Sequence, residues 1–170
     1  MRVLGIDPGL TRCGFAVVDG GPGARPTARS LGVIRTPASD ELPQRLAALR
    51  REFVALLSDF EPDVVAVERV FFQVNVRTAM SVGQASGLAL CEAVDAGCLV
   101  ATYSPNQIKD AVTGSGSADK AQVQRMVQLR LGLERPPSPA DAADAAAVAL
   151  CHLAMAPVAA ARAARGGLAS

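Results

Sequence analysis

The chain has 170 residues, of which 50% are hydrophobic and 19% charged, so it is long enough to bury a core and too apolar for a disordered protein. Its 17 basic and 16 acidic residues give a net charge of +1, which by itself does not favour a nucleic-acid-binding protein but does not exclude one. We expect no membrane span, because His152 and Pro157 interrupt the richest apolar stretch. With no basic leader before the first strand and no C-x-x-C pair, we predict a cytoplasmic protein with reduced cysteines.

The first half of the chain predicts strands followed by one amphipathic helix. Residues 2–6 and 13–18 have the pattern of paired strands joined by an Asp-Pro-Gly turn, and a third strand is expected near residues 31–35. Leucines at helical spacing predict a helix over residues 41–60, and a short, nearly all-apolar strand follows at residues 63–68.

The second half predicts alternating helices and one more strand. We expect a helix over residues 76–96, a strand over 98–103, a helix beginning at Ser104-Pro105, and a helix capped by Ser117 that runs to about residue 131. After a proline-rich break, a last helix covers residues 140–156. This order predicts an α/β domain over residues 1–156, with a mixed five-stranded sheet and helices on both faces, and a flexible Ala/Arg/Gly-rich tail over 157–170.

Two carboxylates stand where apolar strands end. Asp7 closes the run VLGID and Glu68 closes the run VVAVE, and each is followed by a loop-like segment. Ligands of open α/β sheets bind beyond the carboxyl ends of the strands, so both acids are candidates for a site. An Asx turn at Asp7 and a surface ion pair at Glu68 would explain each acid taken singly equally well.

The last predicted helix adds two more acids. Asp141 and Asp144 are three residues apart and project from one face, which continues through the apolar Val148. The helix dipole favours acids in a first turn, which is the alternative explanation. No basic residue occurs between Arg135 and Arg162, so a local salt bridge is not expected to satisfy both carboxylates.

Four carboxylates on two strand ends and one helix match the oxygen ligands that a pair of Mg²⁺ or Mn²⁺ ions prefers. Two such ions, about 3.5–4 Å apart, support phosphodiester cleavage. His152, the only histidine, lies eight residues beyond Asp144, about 12 Å along the helix, so we expect it to be packed or exposed at the helix tip rather than to bind the same metal.

The ordered motifs of the chain resemble those of RuvC-type Holliday-junction resolvases. The matching segments are GIDPG at 5–9, VERVFF at 67–72 with Asn75, NQIK at 106–109, GSGSADK at 114–120 and DAAD at 141–144. The resemblance runs from about residue 2 to residue 155. Each motif alone is weak, but the ordered set is specific to this family.

The resemblance implies an RNase H-like fold and a homodimer that resolves four-way DNA junctions in recombination and repair. It implies paired, symmetric nicks that leave 5′-phosphate and 3′-hydroxyl ends, two Mg²⁺ or Mn²⁺ ions per site, and a branch-migration helicase complex as a partner. The metal ligands implied are Asp7, Glu68, Asp141 and Asp144.

The same resemblance implies roles for basic and aromatic residues. Lys109 and Lys120, the only lysines, match basic positions near the scissile phosphate, and Phe71 matches an aromatic residue that contacts bases. Solvated lysines and a core phenylalanine are the alternatives. The phosphate contacts expected on this basis are Arg69, Arg77, Lys109, Lys120 and Arg125.

Small residues interrupt the helix predicted over 76–96. Glycines at 83 and 87 cost about 1 kcal/mol each relative to alanine, and close helix–helix approach would offset that cost. In the family a helix at this position helps to form the dimer, so Gly83 and Gly87 are candidate interface residues. Tight packing within one chain is the alternative.

Two other functions fit parts of the pattern. An actin-like nucleotide-binding protein also begins with an Asp-x-Gly turn between strands, but it needs two such domains, and the chain has no later glycine-rich nucleotide motif. A junction-binding dimer that does not cut DNA would not need four acids, since buried unpaired carboxylates are costly without metal.

Overall fold

A computed structural model describes the backbone of residues 1–69 and 76–166, and the side chains of residues 1–69 and 79–156. Its elements are β1 (Arg2–Asp7), β2 (Arg12–Gly21), β3 (Ala24–Arg35), α1 (Leu42–Phe60), β4 (Val64–Glu68), α2 (Val76–Asp95), β5 (Leu99–Tyr103), α3 (Pro105–Thr113), α4 (Lys120–Leu131) and α5 (Ala140–Gly166). Within the described residues, no helix is both long and apolar enough to cross a bilayer.

The five strands form one mixed sheet in the order β3-β2-β1-β4-β5. The β1–β2 and β2–β3 pairs are antiparallel, whereas β1–β4 and β4–β5 are parallel. Strands β1 and β4 are therefore adjacent and lie inside the sheet, with β1 at its centre. The carboxyl ends of β1, β3, β4 and β5 and the amino end of β2 lie along one edge of the sheet, which we call the active edge.

Helices cover both faces of the sheet, which confirms the predicted layers. Along β1, Val3 packs in the cluster beneath α3, α4 and α5, whereas Leu4 and Ile6 pack in the cluster beneath α1 and α2. Strand β4 repeats this alternation, with Ala66 on the α5 side and Val65 on the opposite side. Successive side chains of a strand point to opposite faces, so each strand buries apolar residues in two separate cores.

Helix α5 lies unusually close to the sheet because two glycines face it. A Cβ atom at Gly5 would overlap the Ala145 carbonyl oxygen, and a Cβ atom at Gly14 would overlap the carbonyl oxygen of Asp141. The face of α5 toward the sheet is made mostly of small side chains, including the fully buried Ala145 and Ala149. The missing side chains let the helix backbone contact the strand backbone directly, which fixes where the first turn of α5 lies.

The element boundaries depart from the sequence prediction at three places. Strand β3 begins at Ala24, because the turn at 22–23 is tight enough to continue the hairpin into a long ladder. Helix α4 is capped by Asp119, not Ser117: the Asp119 side chain accepts from the Gln122 N–H, and the Gln122 side chain accepts from the Asp119 N–H. Helix α5 continues to Gly166, beyond the predicted end near residue 156, in a segment rich in alanine, the strongest helix former.

The close contact of α5 predicts that Gly14→Ala destabilises the fold. The added methyl group would push on the Asp141 backbone, and overpacking of this kind costs about 1–3 kcal/mol. Gly21→Ala is the matched control, because it lies in the same strand and its Cβ would meet no atom within 4 Å. Urea unfolding of both variants measures the difference in stability. Equal midpoints would show that the close approach of α5 to the sheet does not limit the stability of the fold.

Candidate active site

Asp7 and Glu68 end the two central strands on the same face of the sheet. Asp7 follows Gly5 by two positions and Glu68 follows Ala66 by two, so strand alternation directs both toward the α5 side. Both side chains are partly buried, and neither carboxylate accepts a hydrogen bond or forms an ion pair with any other described residue. The structure thus brings together two acids that lie 61 positions apart, with no direct contact from either to a described cation.

The first turn of α5 supplies the other two acids. Asp141 and Asp144 lie on one face of the helix start, and Gly14, the ladder partner of Asp7, contacts the Asp141 backbone. The side chains of Asp141 and Asp144 are 25% and 23% exposed, so they face a shallow opening rather than bulk solvent. All four acids predicted from the sequence therefore lie at the active edge.

The pKa values of the carboxylates reflect this crowding. Burial, followed by the negative charge of Glu68 and then those of Asp144 and Asp141, raises the pKa of Asp7 to about 8. Burial and the charge of Asp144 also raise the pKa of Glu68. A carboxyl group with a pKa near 8 is largely protonated at neutral pH unless a cation approaches it, so the site favours added positive charge.

Two cations already contact the acids of α5. The Arg12 guanidinium donates through Nε and Nη2 to Asp141 Oδ2, and Lys120 Nζ donates to Asp144 Oδ2 at 2.7 Å. The bond from Arg12 lowers the pKa of Asp141, and the bond to Asp144 raises the pKa of Lys120. As expected, no local salt bridge satisfies these acids. Their cations come from β2 and α4, which are distant in sequence and brought close by the fold.

Arg12 is a site residue that the sequence analysis missed. It lies two positions before Gly14 in β2, so it projects from the same face as the glycine that contacts Asp141. That relationship depends on which face of β2 meets α5, which the sequence does not reveal. The only available signal was an arginine three residues after the Asp-Pro-Gly turn, at the start of the next strand.

Both lysines line the opening beside the acids. Lys109 on α3 and Lys120 on α4 share a pocket of about 340 Å³ with Glu68 and Asp144. The two lysine charges act on Glu68 in the direction opposite to its burial, favouring its ionised form and so limiting the rise of its pKa. The sequence prediction that the lysines accompany the acids is consistent with this pocket, and their part in catalysis stays a prediction.

The other predicted residues either do not line this pocket or lie outside the described residues. Arg69 is exposed after β4 and donates to the Thr102 hydroxyl at 3.2 Å, and Arg125 is exposed on α4. Phe71 lies outside the described residues, as does the side chain of Arg77. His152 is half-buried, and its Nδ1 pairs with the Tyr103 hydroxyl at 2.8 Å, which agrees with the predicted packed role.

The donor set fits a hard divalent cation, although the side chains are not arranged around one. Among the described residues, no three acids, histidines or cysteines are placed to hold one ion. Asp141 and Asp144 are instead turned toward Arg12 and Lys120. Asp7 and Glu68 present carboxylate oxygens with no donor, in a partly buried position where an unpaired charge is costly, which is the environment that a cation would relieve.

The comparisons with known proteins settle the family. Residues 3–152 match the family model described as crossover junction endodeoxyribonuclease RuvC. The chain belongs to the RuvC family. A crossover junction endodeoxyribonuclease RuvC of Salinispora arenicola is 55% identical over 98% of this chain and 99% of the relative, and one of Parafrankia sp. is 54% identical over 94% and 90%.

A solved structure of a RuvC protein matches the fold closely. Thermus thermophilus RuvC in complex with a Holliday junction substrate aligns with a TM-score of 0.89 at 36% identity, covering 94% of this chain and 96% of that chain. The predicted family and the predicted α/β, RNase H-like fold are confirmed. The chain is accordingly a nuclease of the RuvC type, and its acidic cluster is the candidate active site.

The raised pKa of Asp7 predicts an unusual pH dependence of stability. Folded Asp7 keeps its proton up to a pKa of about 8, whereas the unfolded chain releases it near pH 4, so metal-free protein should lose stability as pH rises through this window. Asp7→Asn should flatten this slope and raise the melting temperature at pH 8. Thermal melts in EDTA between pH 5 and 8 measure both effects.

Asp19→Asn is the control with the opposite sign. Hydrogen bonds from Arg2 and Arg29 lower the pKa of Asp19 to about 2, so its contribution to stability is complete above pH 4 and is lost only below it. Its replacement should lower the melting temperature equally across the tested range. If the melting temperature of Asp7→Asn still fell with rising pH as it does in the wild-type protein, the pH dependence of stability could not be assigned to Asp7.

Proposed function

We propose that the protein resolves four-way (Holliday) DNA junctions by paired, symmetric nicks in recombination and repair. The observation that carries the proposal is the grouping of Asp7, Glu68, Asp141 and Asp144 at one edge of a RuvC-family sheet. The Thermus relative was solved with a Holliday junction substrate, which supports the same substrate class here. Each nick would leave a 5′-phosphate and a 3′-hydroxyl end.

The four acids are the proposed ligands of two Mg²⁺ or Mn²⁺ ions. The set is all oxygen, as these ions prefer, and its two strand-borne carboxylates have no protein cation bonded to them among the described residues. When bound, such ions polarise the phosphate and lower the pKa of water at the site. Asp141 and Asp144 would reach an ion with the oxygens that Arg12 and Lys120 leave unbonded.

The protein's own residues would position the water and the phosphate and would stabilise the charge that develops during cleavage. A water oxygen attacks phosphorus and gives up a proton to the solvent, the bond from phosphorus to the 3′ oxygen breaks, and the departing 3′ oxygen takes up a proton to become the 3′-hydroxyl. The carboxylates hold the water and phosphate in line, and Lys109 and Lys120 face the same pocket, where an ammonium group stabilises added phosphate charge. An ion bound by Asp144 would weaken its pair with Lys120 and release that ammonium group toward the phosphate.

DNA binding follows from the local charge rather than the net charge. When four of the 16 acidic residues are bound to metal, 12 acidic residues remain against 17 basic ones. The DNA-binding form would therefore carry a clearly positive net charge outside the metal site. Arg69 and Arg125 are exposed and available to phosphates. We propose Phe71 and Arg77 as further DNA contacts on the basis of their sequence positions.

Replacing one strand-borne acid tests the metal site. Asp7→Asn should abolish nicking of a synthetic four-way junction, because loss of a metal ligand removes several kcal/mol of stabilisation, about 10³-fold or more in rate. Junction affinity in a gel-shift assay should change little. Asp59→Asn, an exposed acid on α1, should cut normally.

Metal titration in the same assay separates the remaining alternatives. Wild-type protein should nick both opposed strands only when Mg²⁺ or Mn²⁺ is added. Binding with no cleavage in either metal would favour a non-catalytic junction-binding dimer. Tight ATP binding with no junction affinity would favour the actin-like alternative.

We further propose that the protein acts as a homodimer through α2, in the cytoplasm, with a branch-migration helicase complex as a partner. A Cβ atom at Gly83 or Gly87 would meet no atom of a described residue within 4 Å, so neither glycine is packed against the described part of the chain. The side chains on their face are exposed and apolar, and their spacing repeats over 3 and 4 residues. The open face comprises Met80, Gly83, Gly87, Cys91 and Val94.

This open face predicts that Gly87→Arg gives a monomer. A long charged side chain would prevent two helices from approaching at the glycines. Light scattering coupled to gel filtration should show half the wild-type mass, and nicks in the two opposed strands should lose their pairing. Ala47→Arg, at an exposed position of α1, is the control and should stay dimeric. A dimeric Gly87→Arg protein would place the interface elsewhere.

A further inference from the structure

Two arginines and two threonines lie together at the active edge, on the side of Asp7 away from the two lysines. They come from the end of β3, the residue before β2 and the first turns of α1. We call this group the β2–β3 rim and define it as Thr11, Arg35, Thr36 and Arg45. None of its residues belongs to the DNA contacts predicted from the sequence.

Arg45 is held in one orientation by neutral acceptors. Its Nε donates to Thr36 Oγ1 at 3.0 Å and its Nη2 donates to Thr11 Oγ1 at 2.7 Å. Thr36 is only 3% exposed, and its hydroxyl donates in turn to the Leu10 carbonyl, so the hydroxyl's lone pairs face Arg45. The fold therefore fixes this guanidinium against the loop that follows Asp7, yet no described carboxylate bonds to it.

Arg35 adds a second cation at the same corner of the active edge. Arg35 is exposed at the end of β3, and its ladder partner in β2 is Arg12, whose own charge is engaged by Asp141. Neither Arg35 nor Arg45 forms an ion pair with any described acid. The nearest acids in sequence, Asp40 and Glu41, are exposed and pair with neither.

The direction of the rim relative to the metal-binding acids defines what it can contact. Strand β3 lies two strands from β1, on the side opposite β4 and β5. Neighbouring strands are about 4.8 Å apart, and Arg35 lies two residues beyond Val33, which is level with Asp7 across β2, so the Arg35 backbone is about 12 Å from Asp7. Successive phosphates of one DNA strand advance about 3.4 Å along the helix axis, so this spacing corresponds to a little over three nucleotides.

We propose that the β2–β3 rim binds the phosphate backbone of the cut strand, about three nucleotides from the bond that is cleaved, on the side opposite Lys109 and Lys120. A fixed guanidinium with unused donors suits a phosphate, and Arg35 extends the same positive surface. The inference rests on the proposed junction cleavage, because that activity places a DNA strand over Asp7. The rim contributes affinity and alignment without reading the base sequence.

The salt dependence of junction binding tests the rim. In an Asp7→Asn background, which prevents cutting, Arg35→Ala with Arg45→Ala should reduce the slope of log affinity against log salt by about 1.8, since each phosphate contact contributes about 0.9. Arg51→Ala with Arg130→Ala removes the same formal charge away from the active edge and should leave the slope unchanged. An unchanged slope in the rim variant would overturn the proposal.

Single methylphosphonate substitutions locate the contact. Neutralising the phosphate about three nucleotides from the cut should weaken binding of the parent protein several-fold and leave the rim variant unaffected, because the two changes remove the same interaction. Equal losses in both proteins at every position would overturn the assigned location. Arg35→Gln, which breaks no hydrogen bond between described residues, should by itself lower the slope by about 0.9 and so separates DNA contact from misfolding.

Failure of the inference differs from failure of the proposed function. If wild-type protein neither binds nor cuts junctions, the function itself is wrong. If wild-type protein cuts junctions and the rim variant keeps both the parent's salt slope and its methylphosphonate pattern, only the rim is wrong. A thermal melt of the rim variant near that of its parent confirms that the loss of the Arg45 bonds to Thr11 and Thr36 has not unfolded the corner.

Discussion

The direct contact between the α5 backbone and the sheet at Gly5 and Gly14 is the constraint on which the active edge depends. Two of the four acids belong to strands and two belong to α5, so their grouping requires that the helix start lie against the end of β1. Any side chain at Gly14 would occupy the position of the Asp141 carbonyl oxygen. The alanines of α5 extend this contact along the helix, which explains why so small a residue dominates a buried element.

Crowding four acids has an electrostatic cost, and the protein offsets it in two ways. Arg12 and Lys120 neutralise the α5 acids by direct hydrogen bonds, whereas Asp7 responds through a raised pKa and keeps its proton. Uncompensated charge at Asp7 is thereby avoided in the metal-free protein. Binding of a divalent ion must therefore displace a proton and compete with two cations, so metal affinity should depend on pH and ionic strength.

The sequence predicted the acids better than their surroundings. Asp7 and Glu68 were found because each ends an apolar strand, and Asp141 and Asp144 because they share a helix face. The partners of the α5 acids could not be found in this way, since Arg12 is 129 positions from Asp141 and the pairing depends on which face of β2 meets α5. The misplaced α4 cap has a local cause: both Ser117 and Asp119 are good caps, and only Asp119 has a glutamine three residues later to complete the capping box.

The layered sheet also separates the two surfaces that a resolvase needs. Helix α5 and the acids occupy one face, whereas α2, with its open glycines, occupies the other. A dimer formed through α2 would bury the face away from α5 and leave both acidic clusters uncovered. Because β1 is the central strand, basic residues lie on both sides of each acidic cluster. The lysines lie toward β4 and β5, and the β2–β3 rim lies on the other side. A strand crossing Asp7 would meet positive charge both before and after the bond to be cut, which favours one fixed register of the phosphate over the acids.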